Sequence, residues 1–164
     1  MKYIFLDIDG VLNNNKTVVL TPEGHTGISD NLAKRLGKII SQTGAKPVLT
    51  SSWRYKSGIE DTLYMRRRLR RYNAIPVGEI TESNCCRSLR GASIKLFLET
   101  HPHDEIVILD DYLFDFYEEG LLPYLILTNP ETGLTMEDVE NAVKILNGEN
   151  LSELQQKIIE KYYL

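Results

Sequence analysis

The chain has 164 residues, 42% hydrophobic and 26% charged, a size and balance ordinary for one soluble domain with a single sizeable core. No apolar stretch approaches the ~20 residues that span a bilayer, which excludes a membrane-spanning helix. The net charge of −4 is unevenly spread: residues 54–90 hold nine basic side chains against four acidic ones, a net of +5, which leaves −9 elsewhere, so an anionic partner is expected for the basic stretch.

Met1-Lys2 leads straight into an apolar, β-rich run over residues 2–7. It has no signal-peptide cleavage site, and a cytoplasmic location is the expectation. The run ends in Asp7 and Asp9, followed by Gly10. A strand alternates its faces, so the two carboxylates point the same way. Such a pair is costly unless a cation or a proton sits between its members. A calcium loop of the EF-hand type is excluded: counted from Asp7, Gly10 falls at position 4 and Val18 at position 12, where that loop needs Gly at 6 and Glu at 12.

Residues 13–28 leave room for a short flap. Residues 30–42 carry Leu32, Leu36, Ile39 and Ile40 at helical spacing, with Ser29 as N-cap and Gly44 just past the end. Residues 46–51 read as a second strand that runs into Thr50, Ser51, Ser52, Trp53 and Arg54. Residues 58–72 form a basic helix with Thr62, Met65, Leu69 and Tyr72 on one stripe and Arg66, Arg67, Arg68, Arg70 and Arg71 around it. Five arginines so close could track a phosphate backbone, or simply form a solvated face. A weaker third strand is predicted over residues 74–79. Cys85 and Cys86 are adjacent and read as reduced thiols.

A helix over residues 91–100, with Ile94, Phe97 and Leu98 inward, is opened by Arg90-Gly91. The apolar strand at residues 105–109 ends in Asp110-Asp111, and a fifth strand follows at residues 123–127. Residues 135–146 form a helix with a capping box from Thr135 to Asp138 and a stripe of Val139, Ala142, Val143 and Leu146. Asn147-Gly148 stops it, and residues 151–162 make a last amphipathic helix. His25, His101 and His103 have no ligand-like spacing with the carboxylates and read as surface or flap residues.

Strands alternating with helices predict an α/β fold: a three-layer, Rossmann-like, doubly wound parallel sheet of about five strands, in a single domain over residues 1–164. Ligands of such sheets bind at the carboxyl ends of the strands, near the point where strand order reverses. Asp7, Asp9, Thr50, Ser51, Ser52, Asp110 and Asp111 would all gather there.

Phe5-Leu6-Asp7-Ile8-Asp9-Gly10-Val11-Leu12 resembles the first motif of the haloacid dehalogenase-like (HAD) phosphohydrolases. The resemblance implies that Asp7 is a nucleophile that takes the phosphoryl group, and that Asp9 protonates the leaving group and then activates water. It implies a Mg²⁺ ion held by Asp7, the backbone carbonyl of Asp9, and the acidic pair Asp110 and Asp111. A carboxylate attacks a dianionic phosphate poorly unless a hard cation removes the repulsion, and one carboxyl group can serve as acid and then as base. The acid at Asp9 argues against carbon–halogen cleavage.

The family's second motif is a Ser or Thr that hydrogen-bonds the phosphate. Thr50 fits the strand end, Ser52 fits if read together with Arg54, and Ser51 lies between them. Trp53 and Arg54 suit a stacking face and a second phosphate contact. For the basic third motif Arg90 is preferred, with Lys95 as the alternative; the chain departs here from the commoner Lys-Pro. Ser-Ser-Trp-Arg, Arg-Gly-x-x-Ile, Leu-Asp-Asp and Thr-Gly-Leu-Thr (residues 132–135) look closest to small HAD-like domains associated with nucleic-acid repair.

Too few residues separate the motifs for a sizeable cap domain, so an open site is expected, suited to a large or polymeric substrate. The leading expectation is a Mg²⁺-dependent phosphatase acting on a phosphorylated nucleotide or an RNA or DNA end, with Arg66 to Arg71 as a possible nucleic-acid contact. The alternatives are a small-metabolite phosphatase and a catalytically silent module that binds phosphorylated or nucleic-acid partners.

Overall fold

The structure is a computed structural model that describes residues 1–81 and 89–164. Cys85 and Cys86 lie outside the described residues. Five strands form one parallel sheet: β1 (Tyr3–Leu6), β2 (Lys46–Leu49), β3 (Gly78–Glu79), β4 (Ile106–Asp110) and β5 (Leu125–Leu127), in the order β3-β2-β1-β4-β5. The helices are α1 (Asp30–Thr43), α2 (Trp53–Lys56), α3 (Ile59–Arg70), α4 (Arg90–Thr100), α5 (Met136–Leu146) and α6 (Ser152–Tyr162). This is the doubly wound α/β architecture, with helices on both faces and no large cap. Among the described residues no helix is long and apolar enough to cross a membrane.

The strands are apolar throughout because both faces are covered. On one face Ile4, Leu6, Val107 and Leu109 pack with Leu36, Ile39, Met65, Leu69, Val139 and Leu146 of α1, α3 and α5. On the other, Tyr3, Phe5, Ile106 and Ile108 meet Ile94 of α4 and Ile158 of α6. Phe97 sits edge-on to Tyr3 and Phe5, at 5.5 and 5.7 Å between ring centroids. The capping box of α5 forms between Thr135 and Asp138, and Gly44 closes α1 in the left-handed region at φ 69°. Ser29 occupies the N-cap position of α1, but its side chain makes no capping bond.

Several elements differ from the sequence expectation. β3 shrinks to Gly78–Glu79 because the Ala74 N–H turns back to Leu69 and Pro76 has no N–H to donate, so pairing starts with Val77 N–H to the Pro47 carbonyl. Pro123 opens a 3₁₀ turn over Leu122–Tyr124, which delays β5 to Leu125. On α3 it is Asp61, not Thr62, that is buried with Met65 and Leu69. The segment after β2 coils into the short helix α2.

The register aligns Leu6 with both Leu49 and Leu109. Asp7, Thr50 and Asp110 therefore leave the sheet at one level. Strand order reverses between β1 and β4, so the edge carrying Asp7, Asp110 and Asp111 is the topological switch point.

Candidate active site

Asp7 is bonded through its N–H to Leu109 on β4, and Thr50 through its N–H to Leu6 on β1. Arg90, the first residue of α4, reaches across the sheet edge. Its Nη1 lies 2.5 Å from Asp110 Oδ2 and 3.2 Å from Asp7 Oδ2. The guanidinium also covers the Phe114 ring at 4.1 Å. Burial works against the Arg90 charge, but Asp110 and Asp7 outweigh it and its pKa is raised.

Carboxylate oxygens of Asp7, Asp110 and Asp111 lie within 4.8 Å of one another. Burial, and then the charge of Asp7, push the Asp110 carboxyl well above the ordinary range, although Arg90 and the Tyr112 N–H pull the other way. Asp111 is raised by the same two causes in the same order. One guanidinium does not balance three clustered acids, and a hard divalent cation suits an all-oxygen donor set. The donor set thus fits Mg²⁺. Gly10 belongs to this cradle: at φ 76° it takes a turn that disfavours L side chains, and an added Cβ would fall on the Asp111 carboxylate.

Asp9 stands apart. Its Oδ2 accepts from Trp53 Nε1 at 3.1 Å and its Oδ1 from Asn13 Nδ2 at 2.8 Å, while Asn13 Oδ1 accepts from the Gly10 N–H at 3.0 Å. Asp9 is exposed, whereas Asp7 is buried. Two carboxylates that begin one residue apart thus end in different environments, the usual arrangement when two acids have different tasks.

The Thr50 hydroxyl is buried and, among the described residues, is the one buried side-chain polar atom without a hydrogen-bond partner. Such an atom calls for an explanation, and a ligand oxygen provides one. Ser51 is buried, and its Oγ accepts from the Trp53 N–H at 3.3 Å. Ser52 lines a groove beside Asp9. Arg54 is turned to main chain, donating to the carbonyls of Thr50, Ser51 and Ile80 at 3.2, 3.0 and 2.7 Å. Lys95 is not brought to the cluster. It pairs with Glu119 at 3.2 Å and lines a pocket with Ile106, at the opposite end of β4.

Sequence reasoning missed Asp115, Phe114, Thr128 and Asn13. Asp115 is buried and accepts from the N–H groups of Gly91 at 2.6 Å and Ala92 at 3.0 Å. It caps the helix that Arg90 opens, from a loop 24 residues later in the chain, so no local signal could reveal it. Asp115→Ala is expected to cost about 1 kcal/mol or slightly more in chemical denaturation, and to weaken whatever Arg90 does. Thr128 Oγ1 donates to the Gly10 carbonyl at 2.8 Å and ties the exit of β5 to the turn after β1.

The flap is pinned by Asp61. This fully buried carboxylate accepts from Thr21 Oγ1 at 2.8 Å and the Glu23 N–H at 3.0 Å, and it meets His25 Nδ1 at 2.8 Å. Burial pushes Asp61 up, but the bonds from His25, Thr21 and Glu23 outweigh it and its pKa falls. The Asp61 hydrogen bond raises His25 above its ordinary 6.5. A raised histidine contributes stability that is fully present below the unfolded value and fades as pH rises through the folded one. In an NMR titration His25 should hold its proton above pH 6.5, and Asp61→Asn should return the midpoint toward that value.

A family model described as the HAD domain in Swiss Army Knife RNA repair proteins matches residues 3–139. No curated protein and no solved structure matches the chain.

Proposed function

The chain belongs to the family of HAD domains in Swiss Army Knife RNA repair proteins, and from that premise we propose that it is a Mg²⁺-dependent phosphomonoesterase working through Asp7, with a phosphorylated nucleotide or nucleic-acid end as substrate. The observation that carries this reading is the division between the carboxylates: Asp7, Asp110 and Asp111 cluster around Arg90, while Asp9 is held separately by Trp53 and Asn13.

In the first step the Asp7 carboxylate attacks phosphorus. The P–O bond to the leaving group breaks, and Asp9 gives that oxygen its proton. In the second, Asp9 takes a proton from water as the water oxygen attacks the phosphorus of aspartyl-phosphate. The P–O bond to Asp7 breaks, and inorganic phosphate and a free carboxylate result. The Thr50 hydroxyl, buried without a protein partner, donates to a phosphoryl oxygen. Arg90 offsets the charge of Asp7 and orients its carboxylate beside Asp110. Asp7, Asp110 and Asp111, with the Asp9 carbonyl, would hold Mg²⁺, which would supply the positive charge that lets a carboxylate approach a dianionic phosphate.

Hydrolysis of a generic aryl phosphate tests the reading. Turnover should require Mg²⁺ and stop on chelation. Equal turnover with excess chelator would contradict it.

On the arginine-rich helix Arg66 lines a cavity with Trp53 and Arg54, and the other arginines follow it along α3. Arg68 and Arg71 face Asp30 at 3.8 and 3.7 Å, while Arg66, Arg67 and Arg70 stay exposed. In a parallel fold the C-terminal end of α3 runs toward the sheet edge opposite the acids, so contact there would be with strand backbone remote from the reacting phosphate.

A further inference from the structure

A proton donor must stand beside the oxygen it protonates. If Asp9 serves the leaving group, the rest of the substrate lies on Asp9's side of the cluster. A groove exists there. A cavity of about 440 Å³ is lined by Asp9, by His25 and Thr26 of the flap, and by Ser52, Trp53 and Lys56 at α2.

Its two walls are locked together. Asp61 holds the flap from below through Thr21, Glu23 and His25. The Glu23 carboxylate accepts from the Gly58 N–H at 2.8 Å, which fastens the flap to the turn after α2. A fully buried carboxylate outside the reaction needs a reason, and here it fixes the groove wall and the His25 ring. With Nδ1 engaged by Asp61, the ring's remaining polar atom is Nε2. Lys56 is exposed and makes no ion pair among the described residues. Beside the acid the groove thus presents Lys56 and the His25 ring, the latter flanked by the carboxylates of Glu23 and Asp61, and a volume that suits about one nucleotide.

We propose that this groove is the leaving-group subsite, that its occupant is a polynucleotide strand, and that His25 and Lys56 are the specificity residues that receive the first internucleotide phosphate. The proposal rests on Asp9 acting as the proton donor. An anionic strand gains two contacts in the groove that a neutral alcohol cannot make. Preference for polynucleotides then comes from the flap rather than from the arginines of α3.

The test compares kcat/KM for a terminally phosphorylated oligonucleotide with that for an aryl phosphate, and with that for a nucleoside carrying two separate phosphates. Wild-type protein should favour the oligonucleotide. His25→Gln combined with Lys56→Ala should reduce that preference about tenfold or more, and flatten its dependence on salt. Lys56→Ala alone, which leaves the Asp61–His25 bond in place, should show part of the loss with an unchanged melting temperature. Lys34→Ala combined with Lys38→Ala on α1 removes two basic side chains elsewhere and should keep the preference. An unchanged preference in the groove variants, or an equal fall in the α1 variant, would overturn the proposal and leave the phosphatase reading standing. The two-phosphate nucleoside matching the oligonucleotide would overturn the strand as occupant. Hydrolysis of none of the three substrates would remove the phosphatase reading as well.

Discussion

Asp7→Asn is expected to reduce phosphate hydrolysis by about 10⁴-fold or more while leaving the fold at least as stable as before. The amide cannot act as the nucleophile, and Asp9, held by Trp53 and Asn13 away from the cluster, is not placed to replace it. The stability half follows from electrostatics. After burial, the charge of Asp7 is the next largest cause raising both Asp110 and Asp111. Removing it relieves two like-charge contacts at the loss of one bond to Arg90. Without Mg²⁺ the variant should melt no lower than wild type. A steady-state assay and a melting curve on one preparation check both halves, and substantial remaining turnover would remove Asp7 from its role.

Arg90→Met is expected to be the most destabilising single change at the site. It leaves Asp110, fully buried, and Asp7, nearly so, without their shared cation. Breaking a buried pair from one side costs about 3–5 kcal/mol, a large part of the ~5–15 kcal/mol that holds a domain folded. The loss should depend on pH. Arg90 is what lowers Asp110 against burial and Asp7, so in the variant the Asp110 carboxyl rises further. An acid with a raised folded pKa binds its proton more readily when folded, and stability then falls as pH rises from the ordinary carboxylate value through the raised one. Denaturant midpoints should therefore show a smaller deficit at mildly acidic pH than at neutral pH. Arg90→Lys should fall between the two, since it keeps the charge but loses the planar stack on Phe114. A Met variant as stable as wild type at neutral pH would contradict the account.

The sheet was legible because each strand is an apolar run that ends in a polar residue, and a parallel sheet buried on both faces demands such runs. Register then fixes the alignment: it brings Asp7, Thr50 and Asp110 to one level from three separate segments. The motif residues stand out in the sequence because each lies at the end of an apolar run. What supports them does not. Asp115 caps the helix of Arg90 from a distant loop, and Asp61, an acid in an otherwise basic helix, is the buried anchor of the flap. Arg54 and Lys95 show the converse. Both matched a role by type and spacing, yet the first is turned to carbonyls and the second pairs with Glu119 at the opposite end of β4. β3 is shorter than its composition predicts, because Val and Ile signal a strand while Pro76 takes away the hydrogen bond that would begin it.

The most direct test of the central claim is to quench the protein with acid during turnover of a labelled phosphomonoester in Mg²⁺ and to map the label. The account predicts a phosphoryl group on Asp7, released by hydroxylamine and absent from Asp7→Asn. Label on another side chain, or full turnover by the Asn variant, would contradict it.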